Sequence, residues 1–400
     1  MSKKRVLIFS NWAPPIKSGS SFYADSLAKT IRAKGDDVVF VTLAWGKNMI
    51  PELSNDFIVY RLPVLRLPKL PIFYNSGLMG FSFNLGNYNR LKQIIKKHSI
   101  DIIHHVNHIF DSTILVTNTA RATRVPIVGS ITTPIQHQHP LMQKIMSMAD
   151  VLTVGTFGVK KWDGIISLDK MVHEYVGSVY GKKTQTKSIV IPFGARLDSM
   201  AQYKNNSVKK SAVPLILMVG HIHPFRNPVN LIRALPYVLK VFPSAKIILA
   251  GRLDINEPKQ IRDELGLTPE QVNFLGETNH DKIISLMKES HVFASWATGP
   301  FVGLGTAAME AMLCGTPVVN DFPENLFGEN KLKNGTNIIL VDSKNPEKIG
   351  QELINLLKSP ELMKKIGDAG KHFMNTHLNW DTIGDNIEKF YDKIIAEYKK

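Results

Sequence analysis

The residues best suited to chemistry gather between positions 302 and 319, V-G-L-G-T-A-A-M-E-A-M-L-C-G-T-P-V-V. Gly303 and Gly305 carry no Cβ, so the backbone there can pass close to a ligand and turn its N–H groups toward it. A helix starting near Thr306 adds the positive end of its dipole at the same spot. Glu310, just over one turn into that helix, is an acceptor-only carboxylate of the kind that takes both hydroxyls of a ribose. Together these make a place to hold a nucleotide. An ordinary glycine loop followed by a solvated glutamate has the same local sequence, so the surrounding elements must decide. Gly315 ends the helix, and Thr316-Pro317-Val318-Val319 reads as a buried strand after it.

Those elements form two runs of alternating strands and helices. Val6–Ser10 reads as a buried strand, Ser20–Lys34 as a helix closed by Gly35, and Asp37–Thr42 as a second strand. Asp101–His105, Pro126–Ser130 and Ser188–Pro192 continue the pattern, with helical stretches around Leu91–His98 and Ser112–Ala122. Residues 202–211, Q-Y-K-N-N-S-V-K-K-S, are polar, basic and aperiodic, and read as a linker. The pattern then restarts with strands at Pro214–Val219, Lys246–Ala250, Val272–Leu275, His291–Ser295, Pro317–Val319 and Asn337–Val341. A last helix, Asp381–Tyr398, has Ile383, Ile387, Phe390, Tyr391, Ile394 and Ile395 on one face and needs a surface to cover. The fold class is α/β: two Rossmann-like doubly wound domains, 1–201 and 212–377, facing across a cleft, with 378–400 crossing back to the first. Ligands of such sheets bind at the carboxyl ends of the strands, which puts the expected site between the halves.

A chain of 400 residues with 44% apolar content suits two globular domains, and no apolar run approaches the length of a membrane span. The start, Ser2-Lys3-Lys4-Arg5 and then Val6–Ser10, reads as a first strand and not a signal peptide, giving a cytoplasmic expectation. The single cysteine, Cys314, excludes an intrachain disulfide and reads as a packed thiol. A net charge of +15 calls for an anionic partner: nucleic acid, an anionic membrane or a phosphorylated small molecule. No stacked-aromatic or Cys/His finger motif supports nucleic acid. The segment Arg61–Tyr74 interleaves basic and apolar residues as a strip on anionic lipid would, but its prolines forbid a regular helix and favour a loop packed on the domain.

With both halves placed, the chain resembles the GT-B glycosyltransferases, and among them the retaining nucleotide-sugar transferases of family 4. The resemblance runs through Pro14-Pro15-Ile16-Lys17-Ser18-Gly19, Asp101-Ile102-Ile103-His104 and Ile191-Pro192-Phe193-Gly194. It continues through Val219-Gly220-His221-Ile222-His223-Pro224-Phe225-Arg226-Asn227, Phe274-Leu275-Gly276 and the run from Glu310 to Val319. It implies transfer of a hexose from a nucleoside diphosphate sugar to a glycan, lipid or polymer acceptor, with retention at the anomeric carbon. It places Arg226 at a phosphate-binding lysine position, where a guanidinium can grip phosphate with two parallel bonds. Gly19, Gly220, Gly276, Gly303, Leu304, Gly305 and Glu310 fall to the donor. No obligatory metal is implied, cations and helix ends standing in for one.

Three positions depart from the family pattern. Val302 stands where a sugar-reading glutamate is expected, His221 replaces an arginine, and Thr132 replaces a histidine on the acceptor side. His104, His105, His108, His137 and His139, in neighbouring loops, are the candidates to supply an imidazole instead, His104 as a catalytic group and His105 toward the acceptor. Two other functions stay open: a sugar-nucleotide epimerase or hydrolase, and a nucleotide-sugar-binding protein with little or no turnover.

Overall fold

The computed structural model describes all residues except 1–2, 17, 46–56, 68–79, 136, 138, 196–207, 227, 297–302 and 329–331. Val302, most of the expected linker and the later half of the basic strip therefore lie outside the described residues. The chain divides into two compact units, one of Met1–Phe193 with Trp380–Lys400 and one of Gly194–Asn379. Lys210 and Ser211, at the end of the expected linker, are already held by the second unit: Ser211 N–H donates to Glu289 O at 2.9 Å, and Lys210 Nζ reaches Ser290 O.

The first unit starts with strand β1 (Arg5–Ser10), helix α1 (Gly19–Ala33), strand β2 (Asp37–Ala44) and strand β3 (Ile58–Pro63). Two short strands, β4 (Leu65–Arg66) and β5 (Gly80–Phe81), precede α2 (Leu85–Lys97), β6 (Ile102–Val106), α3 (Ser112–Thr123) and β7 (Ile127–Ile131). Then come α4 (Pro140–Asp150), β8 (Gly164–Ser167), α5 (Lys170–Tyr180), α6 (Lys182–Gln185) and β9 (Ser188–Val190). The main sheet is parallel, in the order β3-β2-β1-β6-β7-β8-β9. Parallel neighbours need crossovers, and helices supply most of them. The helix starts are written locally: Ser18 caps α1 by accepting from Ser21 N–H at 3.1 Å, and Asn84 caps α2 by accepting from Asn87 N–H at 2.9 Å.

The second unit repeats the plan with β10 (Leu215–Val219), α7 (Val229–Leu239), β11 (Lys246–Ala250), α8 (Glu257–Glu264), β12 (Val272–Gly276) and α9 (His280–Glu289). It continues with β13 (Val292–Ala294), α10 (Thr306–Leu313), β14 (Val318–Asn320), β15 (Ile339–Leu340), α11 (Pro346–Lys358) and α12 (Pro360–His377). Its sheet is parallel in the order β12-β11-β10-β13-β14-β15. The strand order reverses between β10 and β13, as it does between β1 and β6 in the first unit, and such switch points are where doubly wound sheets take ligands.

The last helix, α13 (Trp380–Tyr398), belongs to the first unit and covers it with Ile383, Ile387, Phe390, Tyr391 and Ile394. Two glycines allow the approach. A Cβ on Gly164 of β8 would stand 2.7 Å from the Phe390 ring, and one on Gly384 would stand 2.5 Å from Thr30 of α1. Ion pairs fix the ends, with Lys34 Nζ 2.8 Å from Asp381 and 2.6 Å from Asp385. Buried Lys4 on the other side lies 2.5 Å from Glu388 and 3.0 Å from Asp392.

The start of the basic strip is an edge strand and not a loop: Arg61 pairs in register with Thr42, and burial lowers the Arg61 pKa. Pro63 is tolerated because an edge strand has no further neighbour to accept its missing N–H.

Candidate functional site

In the second unit the carboxyl ends of three neighbouring strands close on glycines that need positive φ: Gly220 after β10 (+140°), Gly251 after β11 (+139°) and Gly276 ending β12 (+76°). They are stitched together, Gly220 N–H donating to Ala250 O at 2.9 Å and Gly251 N–H to Gly276 O at 2.8 Å. A Cβ on Gly251 would sit 2.2 Å from Gly220 O, so this backbone stack admits only glycine. The sequence reading singled out Gly220 and Gly276 and missed Gly251. The signal was present, as a glycine directly following the apolar strand Lys246–Ala250.

Arg226 comes from the loop after β10 and folds back over that stack, where a Cβ on Gly220 would lie 2.4 Å from its Nη1. Burial lowers the Arg226 pKa, and no carboxylate offsets it among the described residues. An arginine stays charged at any working pH, so this is a desolvated cation awaiting an anion. The neighbouring Arg252 is different: it holds Asp254 with two bonds, 2.8 Å and 3.1 Å, and its charge is spent there. His221 Nε2 is 3.2 Å from Asp254 Oδ2 but outside hydrogen-bond geometry. Burial outweighs Asp254 and lowers the His221 pKa, so at neutral pH it adds no charge. His223 is lowered by burial and by Arg226 in the same way.

The loop before α10 supplies the other side. Gly305 holds φ +71° at the N-cap, and Leu304 is buried, with its carbonyl accepting from Asn320 Nδ2 at 3.4 Å. Gly303 precedes them in the same irregular segment. Glu310 is 5% exposed, so it is no solvated surface residue. Its Oε1 lies 3.7 Å from Nε2 of His280, the first residue of α9, a neighbour the sequence reading did not name. Cys314, after α10, has its thiol pushed up to about 12 by burial and is inert, as a packed thiol should be.

The first unit answers differently. His104 is no loop residue but sits inside β6 with no exposed surface. Its Nδ1 is 2.5 Å from Tyr391 Oη and its Nε2 2.6 Å from Ser130 Oγ, which in turn meets Tyr23 Oη at 2.9 Å. Both nitrogens are taken and no substrate can reach them, so the catalytic role expected of His104 is withdrawn. His105, also buried in β6, uses Nε2 on Thr113 Oγ1 at 2.8 Å and likewise cannot face an acceptor. Burial drives His104, His105 and His108 down to about 3, so all three are neutral. His137 accepts from His139 N–H at 3.0 Å. Gly19, the first residue of α1, is exposed, and a Cβ there would meet nothing within 4 Å.

The groups left open at this edge are others. Asn11, Asn107 and Thr132 directly follow the adjacent strands β1, β6 and β7. Each carries a buried side-chain oxygen with no hydrogen-bond partner among the described residues: Oδ1 of Asn11, Oδ1 of Asn107 and Oγ1 of Thr132. Such groups are costly unless something fills them. Asn107 also holds φ +70°, a backbone state that asparagine tolerates better than most residues. Thr132 was named from sequence, whereas Asn11 and Asn107 were not.

Two family models match in succession: Glycosyltransferase Family 4 over residues 17–199 and Glycosyl transferases group 1 over residues 199–373. The chain belongs to the family 4 type of GT-B glycosyltransferases. It is a transferase enzyme with the two parallel-sheet domains of that group. An uncharacterized glycosyltransferase of Methanocaldococcus jannaschii is 22% identical over 99% of this chain and 100% of its own length. The phosphatidyl-myo-inositol mannosyltransferase of Mycobacterium tuberculosis is 23% identical over 83% of this chain and 84% of its own. Among solved structures, a glycosyltransferase of Rickettsia africae matches with a TM-score of 0.73 at 17% identity, covering 99% of each chain. Anabaena HepE in complex with UDP and glucose matches with a TM-score of 0.68 at 18% identity over 98% of this glycosyltransferase and 100% of that chain.

Proposed function

We propose that this glycosyltransferase moves a hexose from a nucleoside diphosphate sugar to a glycan or lipid-linked acceptor, with retention at the anomeric carbon. The observation that carries the reading is Arg226: a desolvated guanidinium without a carboxylate partner among the described residues, laid on a stack of strand-end glycines. Glu310, buried at the same edge, holds the ribose hydroxyls, and the Gly303–Gly305 turn faces the sugar. In the step itself the acceptor hydroxyl forms the new bond to the anomeric carbon on the face from which the diphosphate leaves. The bond from that carbon to the phosphate oxygen breaks, and the departing phosphate takes the hydroxyl proton. Arg226 stabilises the charge that develops on the leaving group, and no obligatory metal is invoked. Since His221 is neutral, Arg226 acts at this edge without help from a second permanent cation of the same loop.

Asn11, Asn107 and Thr132 offer neutral oxygens suited to the hydroxyls of an acceptor. The test is a panel of UDP-, GDP- and ADP-sugars, measured for thermal stabilisation and for slow donor hydrolysis with and without EDTA. One family of nucleotide should stabilise the protein, with EDTA without effect. Stabilisation by none of them would end the donor-site reading, and loss of hydrolysis in EDTA would end the metal-free one.

A further inference from the structure

Helix α4 is unlike every other long helix of its unit, because of its residues only Asp150 is buried. Yet it is not polar. Leu141, Ile145, Met148 and Leu152 are 60%, 44%, 57% and 62% exposed, and their spacing sets them in one stripe that continues past α4 into the π-helical turn Val151–Gly155. Phe157, 50% exposed, extends the ridge, with Lys161 Nζ 5.3 Å from its ring centroid. Five of the large apolar side chains that the first unit leaves in water thus stand on one short stretch, a concentration that marks a contact surface.

The charges around the ridge say what covers it. Lys144, Lys160 and Lys161 are exposed, and none is in an ion pair among the described residues. The only acid from Pro140 to Lys161 is Asp150, which is buried and accepts from Tyr180 Oη at 2.5 Å, so it does not offset them. A second copy docking through the same face would set these lysines against each other on a chain of net charge +15. A convex apolar ridge rimmed by lysines fits instead a broad anionic surface with an apolar layer beneath it.

We propose that α4 and the turn after it dock on an anionic lipid bilayer, the ridge entering the headgroup region and the lysines meeting lipid phosphates. The proposed contact lies at residues 141–161, apart from the basic strip Arg61–Tyr74. It deepens the acceptor side of the proposed function without resting on the donor site, since α4 begins just beyond the carboxyl end of β7, near Thr132.

The experiment is flotation of the full chain, with no nucleotide present, on vesicles of phosphatidylcholine alone and on vesicles with roughly a third phosphatidylglycerol, at low and high salt. The chain should float with the anionic vesicles, much less with the neutral ones, and less as salt rises. Replacing Leu141, Ile145, Met148 and Leu152 together by serine should weaken binding at least about tenfold. The second variant, K144E/K160E/K161E, should do the same through charge alone, with both variants keeping the wild-type circular dichroism. Equal flotation on neutral vesicles, or undiminished binding by the lysine variant, would overturn the proposal. So would a wild-type dimer that the serine variant dissolves while vesicle binding stays unchanged, since the ridge would then be a self-association face.

Discussion

At the carboxyl edge of the second sheet a guanidinium lies over bare glycine backbone with no carboxylate partner among the described residues; along and beyond β6 in the first sheet, three histidines are kept neutral. The two sheets share one plan and one kind of switch point, yet one edge presents a cation and the other neutral oxygens. The difference lies in what burial does to each group. A buried arginine keeps its charge and must find an anion, whereas a buried histidine gives up its proton and becomes part of the core. Chemistry cannot be assigned from residue type alone; the titration behaviour in place decides it.

The largest break in this contrast comes at Arg226. Arg226→Ala should weaken nucleotide-sugar binding by about 10- to 100-fold, the loss of charge-assisted bonds to a diphosphate, while Arg226→Lys keeps part of it. Calorimetric titration of each variant with the stabilising nucleotide sugar checks this, and unchanged affinity in the alanine variant removes the phosphate role. Glu310→Ala should follow at about tenfold, with the deoxyribose form of the nucleotide already weak against wild type. If the alanine variant distinguishes ribose from deoxyribose as well as wild type does, Glu310 does not read the ribose.

The contrast sharpens at His104. His104→Ala should cost about 2–4 kcal/mol of stability through loss of the Tyr391 and Ser130 partners, and leave the nucleotide-sugar affinity as it was. Chemical denaturation and titration on the same sample separate the two. A stable variant with lost turnover would restore the catalytic role withdrawn above.

The smallest effect is one of pH. The three histidines titrate near 3 in the folded unit against an ordinary 6.5, so the unfolded chain binds their protons first as the pH falls. Their contribution is complete above about 6.5 and is lost toward 3. Asp150 and Asp169, raised by burial to about 6 from 3.8, oppose this, adding stability as the pH falls through that window. Neither ring nitrogen of His108 is bonded among the described residues, and the ring packs beside Tyr175 and Tyr180, so His108→Leu removes a proton-binding group at little cost in contacts. Its melting temperature should sit within a few degrees of wild type at pH 7.5 and above it at pH 5.5. An equal pH slope for the two proteins would contradict the buried neutral state.

What the sequence carried, and what it hid, follows the same division. Gly303, Gly305, Glu310, Gly220 and Arg226 were legible because a glycine turn and the helix after it are local, written within a few residues. His104 was not, because its two partners are Ser130 and Tyr391, the latter 287 positions away, and nothing near Ile102–Val106 announces them. Strand β3 was hidden by Arg61 and Pro63, which only an edge position accommodates. Helix α4 is illegible for the opposite reason: its stripe has the spacing of a core face, and only the structure shows that it stays exposed among the described residues.

The return of α13 also sets the order in which the protein can be made. The second unit, Gly194–Asn379, is complete once residue 379 has left the ribosome. The first unit is begun earlier and finished later, since Gly164 lacks its Phe390 cover and His104 its Tyr391 until the last turns of α13 emerge. A half-built first unit must therefore wait, with its helix-binding face open, while a whole domain is synthesised and folds downstream of it.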